Sequence, residues 1–138
     1  VGDGPEKTKL IILTKKLGLN KRVIFHGYKK KISEILKKTD LYINSSLFEG
    51  FPNSVVEAAY LEIPIIASQS YGGINEILSG GRFGTIYSNN YLNLATKIEN
   101  FIKYPKPFLI KAKLAKTNSL KFNLKNNIIN FENLFMKI

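Results

Sequence analysis

Two acids stand closest to a recognisable chemistry. Glu49 and Glu57 are separated by seven residues across Gly50-Phe51-Pro52-Asn53-Ser54-Val55-Val56. A helix starting at Asn53, with Asn53 as its N-cap, puts Glu57 about one turn inside, beside Asn53 and Tyr60. Both acids can then face one small cavity. A carboxylate there accepts hydrogen bonds from two adjacent hydroxyls, the arrangement a ribose or hexose presents. The plainer alternative makes Glu57 an ordinary acid near a positive dipole end and Glu49 a solvated loop charge. A third makes the pair the acid and nucleophile of a glycosidase.

The elements that must position these acids are a strand, a turn and a helix. Leu41-Tyr42-Ile43 is an apolar run that stops at Asn44, and Val55, Val56 and Ala59 give the following helix its apolar side. In an open α/β sheet such a turn lies at the carboxyl ends of the strands, where ligands bind and a helix amino end favours an anion. The expected fold class is therefore α/β, a Rossmann-like parallel sheet with helices on both faces, closing with C-terminal helices.

The run Glu49-Gly50-Phe51-Pro52-Asn53 followed by Glu57 resembles the E-x7-E signature of retaining GT-B glycosyltransferases of the group-one type. Val1-Gly-Asp-Gly-Pro-Glu6, Val23-Ile-Phe-His-Gly27, Asp40-Leu-Tyr-Ile43, Ile63-Pro-Ile-Ile-Ala67 and Gly72-Gly-Ile-Asn-Glu-Ile77 are similar to that family's successive landmarks, in order, over residues 1 to about 87. The resemblance implies the donor-binding, C-terminal half of a two-domain enzyme. In that reading Glu49 is the catalytic-site acid, accepting from hexose hydroxyls, and Glu57 accepts from ribose hydroxyls. Gly50, Phe51, Pro52 and Asn53 contact sugar and phosphate oxygens, and Gly2, Gly4, Gly27 and Tyr28 lie at the donor pocket.

The implied reaction is retaining transfer of a sugar from a nucleotide-diphosphate sugar to an acceptor hydroxyl, in surface polysaccharide or lipid-linked glycan synthesis. It needs no cofactor and no metal. The implied partners are the nucleotide sugar and an N-terminal acceptor-binding domain, and the family's basic Arg and Lys would precede Val1. An isolated chain is then expected to be inactive. A non-catalytic sugar-nucleotide-binding module and a basic surface-binding protein remain as alternatives.

Composition narrows the remainder. The 138 residues, 44% of them hydrophobic, suit one domain with one core. There is no apolar run of bilayer length and no basic-then-apolar leader, so a cytoplasmic chain is expected. The absence of cysteine removes disulfides and thiolate metal sites, and a single His removes a His-rich cluster. A net charge of +11 comes almost wholly from Lys, with Arg22 and Arg82 the only arginines. Base readout favours Arg, which argues against nucleic acid and toward an anionic membrane surface.

Along the rest of the chain, Val1 is expected to end a strand and Pro5 to open a helix with an apolar stripe at Leu10, Leu13 and Leu17, capped by Gly18. Val23-Ile24-Phe25 is expected to be a buried strand with His26 packed at its end, and Lys29, Lys30 and Lys31 a solvated loop. Ile32, Ile35 and Leu36 mark a short helix. Strands are expected after Pro64 and from Phe83 to Tyr87, with a helix opening at Gly72-Gly73. Helices follow from Asn90, broken at Tyr104-Pro105-Lys106-Pro107, and the segment from Phe122 places Leu124, Ile128, Phe131, Leu134, Phe135 and Ile138 on one apolar face.

Overall fold

A computed structural model describes residues 1–122 of the chain. The apolar face expected from Leu124 to Ile138 lies outside the described residues. Two compact units are present, Val1–Ile35 and one that begins at Leu36.

In the first unit α1 spans Lys7–Lys16, two residues later than Pro5 suggested. It ends in a Schellman turn: Gly18 adopts φ 66°, its N–H reaches the Lys15 carbonyl at 3.0 Å, and Leu19 N–H reaches Thr14 at 2.9 Å. Leu10, Leu13 and Leu17 form the expected stripe but are about half exposed. Neither Val1 nor Val23-Ile24-Phe25 is a strand. A strand exists through its ladder, and among the described residues no strand pairs with this segment; Ile24 is 73% exposed. His26 is exposed, not packed. The short helix α2, Ser33–Leu36, follows as expected.

The second unit is built on a parallel sheet. β1 (Tyr42–Asn44), β3 (Ile65–Ser68) and β5 (Thr85–Tyr87) pair in the order β1-β3-β5, with Ile43 opposite Ile66 and Ala67 opposite Ile86. Parallel neighbours require crossovers, and α3 (Asn53–Tyr60) and α4 (Gly73–Leu78) supply them. β3 is central, so all four of its residues are buried, which explains why Ile65-Ile66-Ala67 reads as a continuous apolar run and not an alternation. Val55, Ile66, Ile74, Ile77 and Leu78 are fully buried around it.

α5 (Tyr91–Lys103) is capped by Asn90, whose side chain accepts from Leu92 N–H at 2.8 Å. α6 (Pro105–Ser119) starts at Pro105, so the break shrinks to Tyr104 and both prolines sit in the first turn, where their missing N–H groups cost nothing. α3 rests on α6, with Ala58, Ala59, Ala112 and Ala115 all buried. No helix among the described residues is long and apolar enough to cross a membrane.

Candidate functional site

The site grows from the carboxyl end of β1. Asn44 is 6% exposed, and its side-chain nitrogen donates to Glu49 Oε2 at 3.1 Å while its oxygen accepts from Ser46 N–H at 3.3 Å. One buried amide thus folds the turn and aims the acid. The Ser68 hydroxyl donates to the Ser46 carbonyl, which ties the same turn to the end of β3. Tyr42 and Ser54 pair their hydroxyls at 2.8 Å, fastening β1 to the first turn of α3.

A second, two-residue ladder lies beyond the main sheet. β2 (Phe48–Glu49) runs parallel to β4 (Tyr71–Gly72), with Glu49 opposite Gly72, and Gly73 N–H donates to the Gly50 carbonyl at 2.8 Å. The two loops that follow β1 and β3 are therefore joined to each other. Gly72 has φ 110°, and a Cβ there would overlap the Glu49 carbonyl; a Cβ on Gly73 would lie 2.9 Å from the Gly50 oxygen and 3.1 Å from the Phe51 ring. The glycine pair is required by packing against the acid-bearing loop.

The helix cap differs from expectation. Pro52 is the N-cap of α3, at φ −80° and ψ 91°, and Asn53 is the first helical residue, with no side-chain cap bond. Pro52 is buried and its carbonyl accepts from Val55 N–H at 3.0 Å and Val56 N–H at 3.3 Å. α3 buries Val55, Ala58 and Ala59, leaving Val56 half-buried, so Ala58 replaces Val56 on the core side. Glu57 and Asn53 are exposed on the remaining face. Phe51 is 43% exposed and meets the ring of Phe122 edge-on at 5.3 Å.

In the first unit, Gly2 N–H donates to the Gly27 carbonyl at 2.8 Å, so two of the glycines singled out in the sequence touch each other. Asp3 receives Gly4 N–H at 3.1 Å and Lys7 Nζ at 3.2 Å. A cavity of about 420 Å³ opens beside them, lined among others by Gly2, Gly4, Lys7 and His26. Tyr28 is 73% exposed.

Sequence reasoning missed Asn44 as the partner of Glu49 and gave Gly72-Gly73 only a helix start. A polar side chain closing an apolar strand was the available signal for the first, and a glycine doublet for the second.

The chain matches known proteins over most of its length. The family model described as glycosyl transferases group 1 matches residues 1–121. An uncharacterized glycosyltransferase of Methanocaldococcus jannaschii is 41% identical over 78 residues, 56% of this chain and 19% of that protein. The lipopolysaccharide 1,6-galactosyltransferase of Salmonella typhimurium is 29% identical over 92 residues, 64% of this chain and 26% of that protein. The chain thus spans about a fifth to a quarter of these curated relatives. The crystal structure of HepE from Anabaena in complex with UDP-glucose superposes with a TM-score of 0.88 at 24% identity, over 99% of this chain and 40% of that one.

Proposed function

Because the chain belongs to the group 1 glycosyl transferases, we propose that it is the donor-binding part of a transferase that moves a sugar from a nucleoside-diphosphate sugar to an acceptor hydroxyl with retention. The observation that carries the reading is the held position of Glu49, hydrogen-bonded to Asn44 in a loop joined to Gly72 and Gly73 at the carboxyl ends of the parallel strands. Open α/β sheets bind ligands there.

In this proposal Glu49 accepts from hydroxyls of the transferred hexose. Asn44 occupies one carboxylate oxygen and leaves the other for the sugar. Glu57 accepts from ribose hydroxyls, and Gly50, Phe51 and Asn53 offer backbone and side-chain contacts to sugar and phosphate oxygens, while Pro52 shapes the helix entry. Gly2, Gly4, Gly27 and Tyr28 are assigned to nucleotide contact. The acids orient substrate; the nucleotide leaving group requires separate electrostatic stabilisation.

The Salmonella relative acts on lipopolysaccharide and the Anabaena neighbour holds UDP-glucose. The Anabaena neighbour supports a UDP-sugar donor, and the Salmonella relative a surface-polysaccharide or lipid-linked glycan setting. The +11 charge suits a domain working beside an anionic membrane. An N-terminal acceptor-binding domain completes the proposed enzyme.

Hydrogen exchange during titration with UDP, GDP and ADP tests the reading. Protection of residues 49–57 by at least one of them is the expected result. No protection there by any of the three, at concentrations into the millimolar range, would overturn it.

A further inference from the structure

A cavity of about 310 Å³ opens where the chain leaves β3 and β5, lined by Gln69, Ser70, Asn75 and Asn89. Neither Glu49 nor Glu57 lines it. Its volume lies at the lower end of the range of small-molecule sites, about 300–1,000 Å³.

Its framework is fixed. Gln69 N–H donates to the Tyr87 carbonyl at 2.8 Å and Ser70 N–H to the Ser68 carbonyl at 2.9 Å. Asn89 donates its side-chain nitrogen to the Gln69 carbonyl at 3.0 Å, which orients that amide and leaves its oxygen as an acceptor. Against this framework one group is out of place. Ser70 is only 4% exposed, yet among the described residues its hydroxyl has no hydrogen-bond partner. Buried hydroxyls are nearly always paired, because leaving one unpaired forfeits its hydration without return.

The lining decides the chemistry. Among the described residues the lining brings three carboxamides and a hydroxyl, with no charged side chain to hold a phosphate or a metal ion and no aromatic face to stack a base. Carboxamides and hydroxyls donate and accept together, which matches the vicinal hydroxyls of a sugar ring. We propose that this cavity is a carbohydrate subsite that binds a pyranose through its hydroxyls, one of which pairs with Ser70 Oγ. The subsite stands independently of the nucleotide contacts assigned to Glu57. Because the donor hexose is assigned to Glu49, which does not line this cavity, the pyranose belongs to the acceptor glycan.

Saturation-transfer NMR with methyl α-glucopyranoside, methyl α-galactopyranoside and methyl N-acetyl-α-glucosaminide tests this on the parent protein, Ser70→Ala and Asn75→Ala. The expected result is binding of at least one glycoside by the parent and at least tenfold weaker binding by both variants. Ser70→Ala should melt no lower than the parent, since the hydroxyl it removes bonds nothing among the described residues. Simultaneous binding of the glycoside and UDP-glucose is expected of an acceptor subsite, and displacement of the glycoside by UDP-glucose overturns that assignment. Failure of all three glycosides to bind, or equal binding by the parent and both variants, overturns the subsite. Glycoside binding without any nucleotide binding would sink the nucleotide reading and leave this one standing.

Discussion

The N–H of Gly73 donates to the carbonyl of Gly50 at 2.8 Å, and that bond joins the loop carrying Glu49 to the turn that begins α4. Together with the pairing of Glu49 and Gly72 it makes one hydrogen-bonded ledge from two loops. Ligand contacts placed on such a ledge need little ordering on binding, which lowers the cost of association.

The ledge depends on the absence of a side chain at Gly72. Its φ of 110° is hostile to L residues, and an added Cβ would overlap the Glu49 carbonyl. Gly72→Ala must push the Glu49 backbone aside. We expect a loss of about 2 kcal/mol or more in stability, and at least tenfold weaker nucleotide-sugar binding in protein that remains folded. Urea melts and calorimetric titration measure the two. Unchanged binding would separate the ledge from the site.

The two acids should fail differently. Glu57→Gln is expected to weaken binding of the free nucleoside diphosphate, whereas Glu49→Gln should leave that affinity within about twofold and weaken only the sugar-bearing donor. Removing one charge-assisted hydrogen bond costs roughly 1.5–3 kcal/mol, about 10- to 150-fold in affinity. Equal nucleotide affinity in Glu57→Gln and the parent contradicts the assignment of the ribose to Glu57.

One turn motif shows what the sequence made legible and what it hid. α1 ends with Gly18 in the left-handed region, and the glycine announced that cap. α3 ends in the same motif: Glu62 N–H reaches Ala59 and Ile63 N–H reaches Ala58, both at 3.0 Å, but the left-handed residue is Glu62 at φ 57°. Nothing in its type signals that conformation. The buried Ile63 and the Lys116–Glu62 pair at 2.7 Å are tertiary, and they hold the strained residue in place. The same division runs through the chain. β3 was readable because a central parallel strand is apolar throughout, whereas Val23-Ile24-Phe25 has strand composition without a ladder to join. The β2–β4 ladder hid because two residues carry no periodicity. Asn44 was visible only as a polar residue closing an apolar strand, because its role comes from a residue five positions on. The two glutamates were visible as a spacing, but the amide that aims one of them was not.

Glu62 also gives a clean stability test. Glu62→Gly and Glu62→Ala both lose the Lys116 pair, so their difference isolates the backbone. The glycine variant should be more stable by about 1 kcal/mol, roughly 3–5 °C in Tm. The hydrogen bond from Lys116, and then its charge, hold the Glu62 carboxyl below its ordinary range. A depressed acid stabilises the fold above its unfolded pKa and stops doing so as pH falls through the folded one. The gap between parent and Glu62→Ala should therefore shrink on acidification, and should shrink with added salt because the pair is exposed. A gap indifferent to both would mean the pair contributes nothing.

Lys111 offers the opposite sign. Its Nζ donates to the carbonyls of Gly81 at 2.8 Å and Gly84 at 2.9 Å, pinning α6 to the turn that leads into β5. Lys111→Met keeps the aliphatic stem and strands two acceptors, one of them in a buried glycine, at a cost of about 1–3 kcal/mol. Burial, and secondarily the charge of Lys97, push the Lys111 amine below its ordinary range. The folded chain therefore sheds this proton before the unfolded chain does. Between the two pKa values the unfolded state binds more protons, so stability attributable to Lys111 rises with pH there. Chemical denaturation of the parent and Lys111→Met, at neutral pH and again on the alkaline side, should show the gap between them widening as pH rises. A constant gap would mean that the amine titrates alike in both states. Lys97→Met should delay the widening to higher pH, because it removes the repulsion that helps lower the Lys111 pKa.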